Sequence, residues 1–309
     1  MLLVFGSINV DMAFDAEVLP QAGETVMGNG YRISPGGKGA NQAHAARLDG
    51  SATTLVGAVG NDAMAEMALQ ALTTAKVDLS HIQRLNGQTG CAAIVVDGQG
   101  ENQIVVAPGV NLAARADHVS EDVLAKANVL LLQMETDYSQ NTALALRARQ
   151  LGCPVVLNNA PAKPLGVDLL QALDVLIVNQ SELTMTTQIL GIRASDPGVL
   201  VQTLAQRFSF NVVLTLGGQG LIACQPGQLP LMLPALIVPV VDTTGAGDTF
   251  SGVFAAALVR HQSFEQALMR GLVAAGLSCM RPGAQLGQPN FKDIDAALAA
   301  YQTLHRIER

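Results

Sequence analysis

The chain has 309 residues, 49% of them hydrophobic and 4% aromatic, with no tryptophan and a formal net charge of −7. That length buries a large core and suits one sizeable α/β domain, whereas the negative charge argues against nucleic acid or an anionic membrane as partner. No apolar run reaches the roughly 18 residues of a membrane helix, the start MLLVFGSINVDM has no basic leader, and Cys91, Cys153, Cys224 and Cys279 lack CxxC or metal-ligand spacing. They read as buried free thiols of a cytoplasmic protein.

Residues 2–5 (LLVF) read as a buried strand whose end carries Asn9 and Asp11. Residues 12–34 are mixed and glycine-containing, a short-strand excursion. A small-residue helix over 39–48 follows, and ATTLVGAVG gives the next strand. Helix and strand alternate to residue 86, where CAAIVVDGQGENQIVVA interrupts with two β-rich runs around Asp97-Gly98, a hairpin signal. Further strands are predicted at 129–133, 154–157, 175–178 and 212–216. Short apolar runs without alternation, separated by helices, indicate a parallel sheet covered on both faces. The expected fold is therefore α/β: one doubly wound, mainly parallel sheet over 1–309, with a small β-sheet lid inserted as 12–34 and 88–106.

In such sheets ligands bind outside the carboxyl ends of the strands. Asn9, Asp11, Glu135, Asn158, Asn179 and Gly217-Gly218 all fall there. DTTGAGDTF (242–250) sets a glycine turn at a helix start, where unpaired amides and the helix dipole attract anions. Asp248 there is either a helix cap or a base that takes a proton from an alcohol while a phosphoryl group lies over the turn. SPGGKGANQAHAA permits close backbone approach to a ligand and adds Lys38 and Asn41, but it is neither a Walker A loop nor a dinucleotide fingerprint. A flexible turn with a solvated lysine is the plainer alternative. Asn179 and Glu182 in IVNQSEL share one side of a helix start, where a capping amide and a first-turn acid suffice to explain them. LTLGGQG suits either a nucleotide or a tight strand-to-strand turn. Histidines 44, 81, 118, 261 and 305 show no metal-binding spacing, and no GxSxG elbow is present.

Taken in order, GSINVD (6–11), PQAGETV (20–26), GGKGANQA (36–43), GEN (100–102), APGVN (107–111), LLQMET (131–136), NQSE (179–182), TLGGQG (215–220) and DTTGAGDTF resemble the ribokinase/PfkB family of sugar and nucleoside kinases over nearly the whole chain. The resemblance implies an ATP-dependent kinase acting on the primary hydroxyl of a small sugar, foremost D-ribose. It makes Asp248 the general base and the amides of Gly245, Ala246 and Gly247 an anion hole. By the same resemblance Asn9, Asp11, Gly37, Lys38, Asn41 and Glu135 bind the sugar. Asn179, Thr215, Gly217, Gly218, Gly220 and Gly247 bind ATP, and Glu182 helps organise Mg2+ through water and phosphates. Asp242, Thr244, Ser278, Arg281 and Gly283 match positions that hold K+, several through carbonyls. The lid is expected to close over the sugar and to pair with a second subunit in a homodimer.

The chain departs from the family pattern in three places. NNAP replaces NPAP, with Asn159 for proline. Gly287 stands where a serine often ligates potassium, and Leu272 lies near the expected adenine pocket where a more polar residue is usual. The alternatives are another acceptor (deoxyribose, fructose or a nucleoside), a non-catalytic sugar- or nucleotide-binding protein of the same fold, and a dinucleotide-dependent oxidoreductase, for which the fingerprint is missing.

Overall fold

The computed structural model describes residues 1–304. Its centre is β1 (Leu2–Phe5), buried at every position. It pairs in parallel with β4 (Thr53–Gly60) on one side and β8 (Val129–Leu132) on the other. Leu3 and Phe5 enter one apolar core, while Leu2 and Val4 enter a second core on the opposite face. Side chains alternate across a strand, so a strand covered on both faces must be apolar throughout, which is why LLVF shows no polar alternation.

Beyond β8 the sheet continues through β9 (Val155–Asn158), β10 (Val175–Asn179) and β11 (Asn211–Thr215), all parallel, and β5 (Asp78–Leu85) closes the other edge beside β4. Two antiparallel strands, β12 (Leu221–Cys224) and β13 (Leu231–Leu233), complete a nine-stranded sheet. The glycines at 217–220 therefore do form a strand-to-strand turn.

The two segments that break the βα rhythm meet in one four-stranded sheet, ordered β3 (Gly28–Gly36), β2 (Asn9–Ala16), β6 (Gly90–Val96), β7 (Asn102–Ala107). Only Gly6, Ser7 and Ile8 separate β1 from β2. Consequently the small sheet begins at Asn9, earlier than residue 12, and Asn9 and Asp11 ride on it. Cys153 and Cys224 are buried free thiols as expected, but Cys91, on β6, and Cys279 are only half-buried. Among the described residues no helix is long and apolar enough to cross a membrane.

Candidate active site

Helix α1 (Lys38–Leu48) and helix α8 (Ala246–Val259) lie side by side on one face of the sheet, against β1, β4 and β8. Their approach depends on Gly252, where an added Cβ would sit 2.2 Å from the backbone oxygen of Gln42. The contact brings the first turn of α8 against the amides of α1. Asn41 Nδ2 donates to Asp248 Oδ2 at 3.0 Å and Gln42 Nε2 donates to Asp248 Oδ1 at 2.9 Å. No side chain caps α8, so the capping alternative for Asp248 falls away. Thr249 Oγ1 donates to the Gly245 carbonyl instead, at 2.9 Å.

Gly245 begins this helix with φ 75°, in the left-handed region, and an added Cβ would lie 2.8 Å from Ala284 Cα. Only glycine meets both constraints. The Ala246 amide turns back to the Thr243 carbonyl at 3.2 Å. The amides of Gly245 and Gly247 have no such backbone partner among the described residues, and the space beside Gly247 is open. With the Asp248 amide, which likewise has no backbone partner among the described residues, the turn and helix start offer three unspent N–H groups.

The sugar-side candidates converge on Asp248. The carboxylate of Asp11 packs against Gly36, and burial, with Glu135 and Asp248 nearby, pushes its pKa up to about 6. Lys38 is half-buried in the field of four carboxylates, chiefly Asp248 and also Glu135, Glu182 and Asp11, which raises its pKa and keeps it charged. It is not the solvated lysine of the plainer alternative. Glu135 Oε2 accepts from Ser7 Oγ at 2.5 Å and from the Lys38 amide at 3.1 Å. Asn9 Oδ1 accepts from Asn111 Nδ2 at 2.8 Å, which leaves the Asn9 amide nitrogen for a ligand. Gly37 precedes α1 as its N-terminal cap.

On the other side of Lys38, Asn179 and Glu182 form a reciprocal capping box at the start of α6 (Gln180–Ile189). The Asn179 amide donates to Glu182 Oε2 at 2.7 Å, and the Glu182 amide donates to Asn179 Oδ1 at 2.9 Å. Burial raises the Glu182 pKa, the bond from the Asn179 amide and the Lys38 charge oppose it, and the Asp248 carboxylate adds to it. Thr215 Oγ1 turns back to the Val178 carbonyl at 3.4 Å. Gly217 and Gly218 face open space, whereas a Cβ added at Gly220 would lie 2.0 Å from Leu233 O, across the strand turn.

The segment after α9 (Phe264–Ser278) gathers carbonyls. An added Cβ on Gly287 would lie 2.8 Å from Arg281 O, 2.9 Å from Gly283 O and 2.9 Å from Ser278 O. Such an all-oxygen cradle suits a potassium ion. Asp242 staples it to the turn before α8, accepting from the Thr244 amide at 2.9 Å and the Gly283 amide at 2.8 Å. The Ser278 hydroxyl is spent on Ala275 O at 2.8 Å, and Arg281 is exposed, so both contribute through carbonyls. Among the described residues no three His, Cys, Asp or Glu side chains converge as metal ligands; His305 lies outside those residues. Asn159 is buried and bonded to Lys163 and Thr186, and Leu272 packs in the core at 7% exposure.

Several participants were not among the expected site residues, although Gln42 lies within GGKGANQA, Gln133 within LLQMET and Asn158 at a strand end. Gln42, Gln133, Asn158, Gln285 and Gln288 form a buried amide network around Asn41 and Asp248. Their signal lies in α1, buried without a break from Gly39 to Ala46. A helix buried all round forces every polar side chain in it to find a partner.

The model of the family described as pfkB family carbohydrate kinase matches residues 1–290. A ribokinase of Haemophilus influenzae is 35% identical over 298 residues, covering 94% of this chain and 96% of that protein. The solved structure of a Thermotoga maritima ribokinase superposes with a TM-score of 0.87 at 29% identity, covering 96% of this chain and 99% of that one. An Arabidopsis thaliana ribokinase, solved in complex with ribose and ATP, gives a TM-score of 0.87 at 31% identity, covering 96% and 98%.

Proposed function

The chain belongs to the pfkB family of carbohydrate kinases, and from that membership we propose that it transfers the γ-phosphoryl group of ATP to the primary hydroxyl of D-ribose, giving ribose 5-phosphate and ADP. One observation carries the reading: the only carboxylate in the first turn of α8, Asp248, stands beside the unspent amides of Gly245 and Gly247 and is held by Asn41 and Gln42. Relatives over nearly the whole length are ribokinases, and one of them was solved with ribose and ATP.

In this reading Asn9, Asp11, Gly37, Lys38, Asn41 and Glu135 bind the sugar through a mixed set of donors and acceptors suited to a polyhydroxyl ligand. Asp248 takes the proton from the primary hydroxyl as that oxygen bonds to the γ-phosphorus and the bond to ADP breaks. The Gly245 and Gly247 amides, with Ala246 between them, stabilise charge on the transferring group. The charge of Lys38 interacts with the sugar-side acids Glu135 and Asp11, with Asp248 and with Glu182, and so bears on both halves of the site. Asn179, Thr215, Gly217, Gly218 and Gly220 form the ATP side. Glu182 would help hold, through water, a magnesium ion that would supply charge neutralisation on the ATP phosphates. The carbonyls of Ser278, Arg281 and Gly283 would hold a potassium ion, and Asp242, accepting from the Thr244 and Gly283 amides, ties that cradle to the anion-binding turn.

The small sheet acts as the lid. Asp11 faces the site, so by strand alternation Phe14, Tyr31, Ile33 and Val105 occupy the opposite face. All four are exposed, Tyr31 at 66% and Val105 at 71%, and this apolar face suits a second copy of the chain. The reading assigns the enzyme to the cytoplasm, where its four free thiols remain reduced.

The direct test is ADP release across a panel of free sugars, nucleosides and sugar phosphates, with potassium or a large organic cation. Preference for ribose with potassium activation supports the reading. Preference for another acceptor removes the sugar assignment, and sugar binding without any turnover removes the kinase.

A further inference from the structure

Gln42 is wholly buried, 0% exposed, so neither sugar nor nucleotide reaches its side chain. Its amide nitrogen nevertheless donates to Asp248 Oδ1 at 2.9 Å and to Asn158 Oδ1 at 3.1 Å. Its amide oxygen accepts from Gln133 Nε2 at 2.7 Å. That arrangement determines the orientation: with a donor against the oxygen, the NH2 end must face the two acceptors. The other oxygen of Asp248 is held by the preceding residue, Asn41, at 3.0 Å.

We propose that Gln42 is the positioning residue of the general base: it holds Asp248 Oδ1 while the carboxylate keeps a lone pair for the proton of the sugar hydroxyl. The inference rests on the reading of Asp248 given above. Two neutral amides suit the task, because they orient a carboxylate without neutralising it. Asn41 and Gln42 have different duties despite their adjacency. Asn41 lies on the sugar side, and its loss should show in sugar affinity. Gln42 touches no substrate and acts through Asp248, so its loss should show in turnover alone.

Gln42→Met removes the amide and keeps the length of the side chain. It is expected to lower kcat about 10–100-fold while leaving the ribose Kd, measured by calorimetry, and the ATP KM unchanged. Gln42→Glu sets a second carboxylate against Asp248, so the acid limb of its kcat–pH profile should move to higher pH. In an Asp248→Asn background Gln42→Met should have no further effect on turnover, since the group it positions is gone. Equal losses in both backgrounds, or an unchanged kcat with an unmoved acid limb, assign Gln42 to packing alone and overturn the inference.

Wild-type turnover in Asp248→Asn would remove the base and its positioning residue together. Slow turnover in Asp248→Asn with normal turnover in Gln42→Met would remove only the second. Should Gln42→Met fail to fold, Gln133→Met frees the Gln42 amide to rotate without entering its contact with Asp248. A severalfold lower kcat in that variant supports the inference, and an unchanged kcat overturns it.

Discussion

Gln285 Nε2 donates to Asn41 Oδ1 at 2.9 Å and thereby decides which end of the Asn41 amide faces Asp248. Gln288 adds a second tie, from its Nε2 to the Asn41 carbonyl at 3.0 Å. The segment that carries the carbonyl cradle is thus bonded directly to the sugar side of the site. Gln285→Leu should free the Asn41 amide to rotate and raise the ribose KM about tenfold, or about 1.4 kcal/mol. Steady-state kinetics at saturating ATP measure this. An unchanged KM would mean that Asn41 is held well enough by Asp248 alone.

The cation cradle makes a separate prediction. Burial alone would raise the Asp242 pKa, but hydrogen bonds from Thr244 and Gly283 outweigh it and hold the pKa below the usual carboxylate range. Asp242 therefore stays ionised above the ordinary pKa of 3.8, and the stability it contributes is lost as pH falls through its lowered folded value. Asp242→Ala removes the staple, so the potassium concentration for half-maximal activation should rise about tenfold or more. Titrating activity with KCl at constant ionic strength checks it, and an identical activation curve would detach Asp242 from the cation.

Asp11 gives a pH dependence of opposite sign. Its pKa of about 6, raised first by burial and then by Glu135 and Asp248, lies above the unfolded value of 3.8. The folded chain therefore keeps this proton longer than the unfolded chain does. The stability contributed is full below 3.8 and is lost as pH rises through about 6. Sugar hydroxyls that donate to Asp11 favour its ionised form, so ribose binding near pH 6 should release protons. Calorimetry in two buffers of different ionisation enthalpy counts them. Proton release should vanish in Asp11→Asn, and equal release there would place the titrating group elsewhere.

A buried ion-pair network provides a stability test away from the site. Asp49 is 0% exposed and accepts from Arg270 Nε at 3.0 Å, with Arg260 beside it and Arg270 stacked 4.7 Å over the Phe291 ring. Asp49→Asn should cost about 3–5 kcal/mol in urea unfolding, because it leaves buried arginine charge uncompensated. A cost under about 1 kcal/mol would mean that Asp295 and solvent replace the lost carboxylate.

The parallel sheet was legible because LLVF, VLLL and VLIV carry no polar alternation, and the hairpin because Asp97-Gly98 separates two β-rich runs. From the glycine turn alone Asp248 was legible as either a cap or a base, and the resemblance to the family made it the general base. The structure separates them: no side chain caps α8, and Asn41 and Gln42 hold the Asp248 carboxylate. The roles of Gln42, Gln133 and Gln285 were not legible, even though the first two lie inside GGKGANQA and LLQMET, because glutamines have no diagnostic spacing and their partners lie between 91 and 244 residues away in the chain. The start of the small sheet at Asn9 was missed for another reason. A strand that leaves one sheet and enters a second after a short bridge leaves no turn signal between them.

The most direct measurement compares ribose-dependent ADP release by the wild-type chain and by Asp248→Asn, with ribose affinity measured in parallel. Loss of the base should lower kcat about 10²–10⁴-fold while ribose still binds within a few-fold of wild type. Turnover of Asp248→Asn at the wild-type rate would contradict the account, for then the carboxylate held by Asn41 and Gln42 would not be what takes the proton from the sugar.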